Sequence, residues 1–407
     1  MSDIEIHGEV DPRFAGLKDA FAENFRSRGE IGASCCVTLH GTVVAHLWAG
    51  VADQETGRAW DEDTVSVVFS STKGATAICA HTLIDRGAFA METPVAEIWP
   101  EFAARGKGDA TVRMMLDHSA GVPVLREKIK HDGIYDWDYM CERLADEEPF
   151  WRPGDRNGYH GLTFGWTVGE LVRRASGRSL GTYFQEEIAG PLGIDFWIGT
   201  PEEIEPRIAP MLFSRHDPSK PVTPFLDMGL NDTTSIPHYF LFNSGAFLSR
   251  GANTRAGHAA EIGGANGITN GRGLALMYRP FANGGEWDGV RLVGAQTLAA
   301  MEEVSVATNR DATLQIPTRF APGFMKTMDH RALGIEGVIM GPRAFGHVGA
   351  GGSVGFADPA CGLSFGYTMN RMGDGLLLND RGQSLVNAAY AAIGGMEIRG
   401  GAWREAA

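Results

Sequence analysis

Cysteine is scarce in this 407-residue chain: the five present, Cys35, Cys36, Cys79, Cys141 and Cys361, are odd in number and never spaced Cys-x-x-Cys. That pattern argues against a disulfide framework and for reduced, mostly buried thiols. Basic residues are in deficit, with Lys+Arg 36 against Asp+Glu 50 and a formal net charge of -14. Such a charge repels phosphate backbones and anionic lipid surfaces, so nucleic-acid and membrane partners are excluded. The 12 histidines include no His-x-x-x-His or His-Glu-x-x-His pair, which leaves zinc unsupported. Apolar runs are short, and the opening Met-Ser-Asp-Ile-Glu-Ile-His lacks a basic segment followed by an apolar one. The expectation is a cytoplasmic protein with neither a membrane span nor a secretory signal.

What is present suits a large core, since 43% of residues are hydrophobic. Asp11-Pro12 reads as a helix start, and Phe14, Leu17, Phe21 and Phe25 recur on one face of an opening helix. Residues 33–39 and 43–51 are β-rich and separated by His40-Gly41-Thr42, which predicts a hairpin. A helical pattern from Ser70 to Ile84 stops at Arg86-Gly87, and helices at 167–175, 179–188, 271–281 and 296–304 follow. Strands are expected again at 319–327, 346–356 and 363–370, then a closing helix at 383–393. The sheet is thus discontinuous in sequence, its early and late strands flanking a helical insertion. The expected division is one lobe from 1–70 and 306–407, a mostly helical lobe from 71–305, and a cleft between them.

The chemistry concentrates where the lobes meet. Ser70-Ser71-Thr72-Lys73 is a Ser-x-x-Lys, and three residues is nearly one helical turn, so hydroxyl and amine face the same way. A serine hydroxyl attacks poorly until a base takes its proton, and a desolvated lysine is neutral often enough to do so. At a helix start the Ser70 backbone N–H also points toward a developing oxyanion. The plainer alternative makes Ser70 a cap and Lys73 a solvated first-turn residue. Downstream stand Leu83-Ile84-Asp85-Arg86-Gly87, Pro94-Val95-Ala96 and Thr111-Val112-Arg113-Met114-Met115-Leu116-Asp117-His118-Ser119-Ala120-Gly121.

With the Ser-x-x-Lys and these stretches in this order, the chain resembles the serine β-lactamase and penicillin-binding-protein superfamily, in the class C-like branch that includes family VIII carboxylesterases. The resemblance runs over nearly the whole chain. It implies an α+β fold, with an antiparallel sheet built from both chain ends and flanked by helices, plus the inserted helical lobe. The family's Tyr-x-Asn element falls on Tyr159-His160-Gly161, where the tyrosine matches and the asparagine is missing. Tyr159 then becomes a candidate proton carrier, with its phenolate favoured by Lys73, while Gly161 lacks an amide that would reach a substrate carbonyl. The Lys-Thr-Gly element falls on His347-Val348-Gly349, so an imidazole replaces the lysine that holds a carboxylate. His347, Gly349 and Gly161 are accordingly expected on the substrate side, with the imidazolium recovering some carboxylate binding at lower pH. The backbone N–H of Ala350 is expected to complete an oxyanion hole with that of Ser70.

Two Gly-x-Ser-x-Gly matches compete for the nucleophile, around Ser179 and Ser353, but neither has the strand–turn–helix setting of a nucleophile elbow. His118 reads as a structural residue. Trp137, Tyr139, Phe150, Trp151, Tyr239 and Phe240 lie in the region that would roof the cleft, where core packing is the safer reading for any one of them. The resemblance therefore implies a serine hydrolase that cleaves small carboxylic esters through an acyl-enzyme on Ser70 and needs no cofactor or metal. An amidase or D-peptidase, a weak β-lactamase, an acyltransferase and a non-catalytic scaffold remain as alternatives. The partner is a small-molecule ester or amide, and a homo-oligomer is left open.

Overall fold

The computed structural model describes residues 4–214, 222–245, 247–248 and 250–406. Its opening helix starts as expected: the Asp11 carboxylate accepts from the Arg13 N–H, Pro12–Phe14 form a short turn, and α1 runs Ala15–Ser27 with Leu17 and Phe21 fully buried. The hairpin follows, with β1 (Ile6–Val10) and β2 (Gly32–Leu39) both paired to β3 (Thr42–Asp53). His40 and Gly41 join β2 to β3, both at positive φ (49° and 78°), the conformation a two-residue hairpin turn needs.

The late strands lie beside these early ones. They are β4 (Val306–Thr308), β5 (Thr318–Ala321), β6 (Phe324–Met325), β7 (Phe345–Val348), β8 (Val354–Asp358) and β9 (Leu363–Met369). The order across the antiparallel sheet is β1-β3-β2-β9-β8-β7-β6-β5-β4, with Arg58–Ala59 a short tenth strand on β3. Two segments expected as single strands are hairpins. Pro322-Gly323 breaks 319–327, because proline donates nothing to a ladder and Gly323 sits at φ 87°. The run Gly349–Gly352 breaks 346–356, with φ 86° and 119° at Gly351 and Gly352.

Side-chain size sorts the two faces of the sheet. Ser34, Gly355, Ser364 and Gly366 meet α6 (Gly271–Ala282): the Gly271 N–H donates to Ser34 Oγ at 2.9 Å and the Ser364 hydroxyl donates to Ala275 O at 2.8 Å. Phe356 and Phe365 point the other way, where Tyr390 of α7 (Asp380–Ile393) stacks on Phe356 and α1 packs against α7. The packing of α6 departs from the expected boundary at 305, since this helix lies on the sheet. The physical reason is the line of small residues that lets its backbone approach β8 and β9. Four of the five cysteines are buried, Cys361 is half-buried, and all are free thiols. Among the described residues no helix is long and apolar enough to cross a membrane.

The α6 contact generates a stability prediction. A Cβ at position 366 would lie 2.6 Å from Ala275 N and 2.7 Å from Leu274 Cβ. Gly366→Val should therefore cost at least about 1–3 kcal/mol in a urea unfolding titration. A midpoint equal to wild type would mean that α6 does not rest on β9.

Candidate active site

Ser70 stands in the tight turn Phe69–Ser71 that leads into α2 (Thr72–Asp85), as the Ser-x-x-Lys spacing predicts. Phe69, just before it, is held at φ 42°, a left-handed conformation that is strained for an aromatic residue and common where a side chain is being aimed. Two buried hydroxyls clasp this turn to the end of β7. Ser353 Oγ donates to Val68 O at 2.8 Å, and Ser71 Oγ donates to His347 O at 3.2 Å and lies 3.2 Å from Ser353 Oγ. Gly349 has a structural role here: a Cβ would run into the Val68 carbonyl and Ser353 Oγ, so only glycine lets the strand end approach the turn.

Lys73 is fully buried, and its Nζ lies 3.0 Å from Ser70 Oγ, 2.6 Å from Gly161 O and 2.7 Å from Gly264 O. Burial alone drives its pKa well below the ordinary 10.5, with no carboxylate to oppose the shift. A neutral amine has two N–H bonds and one lone pair. Donation to the two carbonyls leaves the lone pair for the Ser70 hydroxyl, the arrangement of a general base beside its nucleophile.

Tyr159 is 6% exposed and its ring lies under Lys73, with Nζ 4.8 Å from the centroid. The expected phenolate is overturned: burial raises the Tyr159 pKa, and the Ser70 hydroxyl, which offsets part of that, approaches without meeting hydrogen-bond geometry. Lys73 sits over the ring face and does not stabilise a charge on the oxygen. Burial thus favours the phenol over the phenolate at Tyr159, and its O–H has no hydrogen-bond partner among the described residues.

His347 stacks on Tyr159 at 5.9 Å between centroids and is 1% exposed. Its Nδ1 lies 2.6 Å from Val348 O, which assigns the proton to Nδ1 and leaves Nε2 a buried acceptor without a partner among the described residues. Burial, and secondarily Lys73, push its pKa down to about 3. This shift disfavours the expected imidazolium at mildly acidic pH. His160 is likewise lowered to about 3 by burial, and His118, with Nδ1 accepting from the His160 N–H, packs its ring 5.0 Å from Tyr159. The structural reading of His118 agrees with this packing. Ser179 caps a helix by accepting from the Thr182 N–H, and Ser353 belongs to the clasp, so neither is placed as a nucleophile.

Sequence reasoning missed Asp311. Its fully buried carboxylate accepts from the N–H of Tyr159 (3.0 and 3.1 Å), Thr313 (2.8 Å) and Leu314 (2.8 Å), and from Asn157 Nδ2 at 3.3 Å. It anchors the backbone that carries the phenol. Among the described residues no group of three or more His, Cys, Asp or Glu is placed to hold a metal ion.

A seryl hydroxyl beside a buried amine, with a phenol and a strand edge facing them, defines a serine hydrolase of the β-lactamase type. The sequence pattern of the beta-lactamase family matches residues 17–388, and the chain belongs to that family. It is 36% identical to the esterase/beta-lactamase LipL of Mycobacterium tuberculosis over 92% of this chain and 85% of that protein. Among solved structures it is similar to a family VIII carboxylesterase, with 39% identity, a TM-score of 0.82, and coverage of 96% of this chain and 100% of that one. A penicillin-binding protein homologue from Caulobacter crescentus is similar at 33% identity and a TM-score of 0.83, over 95% of this chain and 100% of that one.

Removing the Asp311 carboxylate leaves several buried N–H donors unpaired, each costing about 1–3 kcal/mol. Asp311→Ala should lower the melting temperature by several degrees and kcat by about 10- to 100-fold, with a smaller change in KM. An unchanged kcat in a stably folded variant would show that Tyr159 keeps its place without this anchor.

Proposed function

We propose that the protein hydrolyses small, uncharged carboxylic esters through an acyl-enzyme on Ser70. The observation that carries this reading is the Lys73 amine, buried without a carboxylate and 3.0 Å from Ser70 Oγ. In the first half-reaction Ser70 Oγ attacks the ester carbonyl as Lys73 Nζ takes its proton, and the oxyanion is received by the N–H groups of Ser70 and Ala350. The proton on Lys73 then passes to the departing alkoxide, with the Tyr159 phenol as relay, so alcohol leaves and Ser70 carries the acyl group. Water takes the place of the alcohol in the second half-reaction, and the same groups run in reverse to release the acid.

The preference for esters over β-lactams rests on two features of the site. Gly161 offers no amide, and burial pushes the His347 pKa down to about 3, which disfavours a charge that would hold a carboxylate. His347 Nε2, with Gly161 and Gly349 beside it, forms the substrate-facing side in this reading. A two-lobe division, with α6 counted with the sheet, belongs to the same proposal, and the cleft between the sheet and the remaining inserted helices receives the ester.

Hydrolysis of a butyrate ester should be abolished by Ser70→Ala and also by Lys73→Arg, since a guanidinium cannot accept the proton. Ser179→Ala should retain nearly full rate. Wild-type kcat/KM should rise with pH through one ionisation well below 10.5, because the neutral amine is the working form and burial depresses its pKa. Full activity in Ser70→Ala would overturn the assignment. A second arm compares kcat/KM on the ester and on a cephalosporin at pH 7, and equal values would favour the β-lactamase reading.

A further inference from the structure

Gly161 contributes its carbonyl to Lys73, yet its own backbone is not left-handed and would accept a side chain. Space is what forbids one. A Cβ there would lie 2.8 Å from Phe240 Cζ and closer still to Cε2, distances that real Cβ atoms do not show. Phe240 comes from α5 (Ile236–Asn243), the second helix of a hairpin whose first is α4 (Pro224–Asn231). The Ser235 hydroxyl caps α5 by accepting from the His238 N–H at 3.1 Å. The ring is 9% exposed and packs edge-on against Phe225, 5.5 Å and 79° between rings. Together with Val124 these two phenylalanines form a small apolar cluster separate from the main core, with Phe150 and Tyr239 at its border.

We propose that Phe240 is a specificity-determining residue, its ring occupying the volume that a side chain at position 161 would fill and presenting an apolar wall to the acyl group of the substrate. This rests on the esterase reading above and names what that site selects: a short, unbranched, uncharged acyl chain. A benzyl ring has no donor or acceptor to offer an acylamino group. It also fills the space on the Cβ side of Gly161, so bulk on the acyl side is excluded by contact. Gly161 and Phe240 are thus one unit drawn from two distant segments, and neither can change alone without penalty.

The test is a coupling experiment with two independent readouts. Thermal unfolding is measured for wild type, Gly161→Ala, Phe240→Ala and the double variant, with Phe240→Leu as the milder truncation should Phe240→Ala fail to fold. Gly161→Ala should lower the melting temperature by roughly 3 °C or more in the wild-type background and by much less where Phe240 is truncated. The same cost in both backgrounds would overturn the packing argument. In the second readout, kcat/KM is measured for acetate, butyrate and octanoate esters of one phenol, and for butyrate esters of larger alcohols. Truncating Phe240 should raise the octanoate-to-butyrate ratio at least about tenfold with little change across the alcohols. An unchanged acyl ratio, or a shift confined to the alcohol series, would overturn the specificity role even if the thermal coupling appears. Failure of wild type to hydrolyse any of these esters would instead remove the esterase reading, and the thermal coupling would still report whether Phe240 fills position 161.

Discussion

One buried amine governs the electrostatics of this pocket. Lys73 lies beneath the surface with two backbone carbonyls for company, and its depressed pKa follows from the cost of keeping an ammonium there. The environment is consistent with that choice in every direction. His118, His160 and His347 are all held neutral by burial, and a charge on Lys73 disfavours a charge on each. Tyr159 is protonated for the mirror-image reason, since burial disfavours its anion. Burial thus disfavours the charged form of each of these groups.

The second requirement is close approach, and small residues supply it. Gly349 allows the end of β7 to touch the Phe69–Ser71 turn, while Ser71 and Ser353 tie the two with hydroxyls that reach backbone carbonyls. Behind them Gly355 and Gly366 let α6 settle on the sheet. The turn and the strand edge are thereby held from opposite sides by contacts too short to accommodate larger residues. The strained φ of Phe69 persists because these contacts over-determine it.

Much of this was legible in the sequence wherever the cause is local. The Asp11-Pro12 start, the His40-Gly41 turn and the Ser70–Lys73 spacing each depend on residues a few positions apart, and each is present in the structure. Reading went astray where a local signal was ambiguous. Apolar β-rich runs at 319–327 and 346–356 look continuous, but Pro322-Gly323 and Gly349–Gly352 fold each into a hairpin. The phenolate at Tyr159 failed for another cause: proximity to a lysine was visible in outline, whereas the burial that outweighs it was not.

By itself, then, the sequence determined that a hydroxyl and an amine share one face of a helix, because helical periodicity is a property of neighbouring residues. It also determined the opening helix, the first hairpin and the closing helix, through patterns a few residues long. Tertiary structure alone decided the protonation states, since desolvation is set by everything packed around a group. It alone brought Gly161 and Gly264 to Lys73, Asp311 to the Tyr159 amide, and Phe240 to the empty side of Gly161. These partners lie tens to hundreds of residues apart along the chain, and neither their spacing nor their type carries a mark of the contact they make.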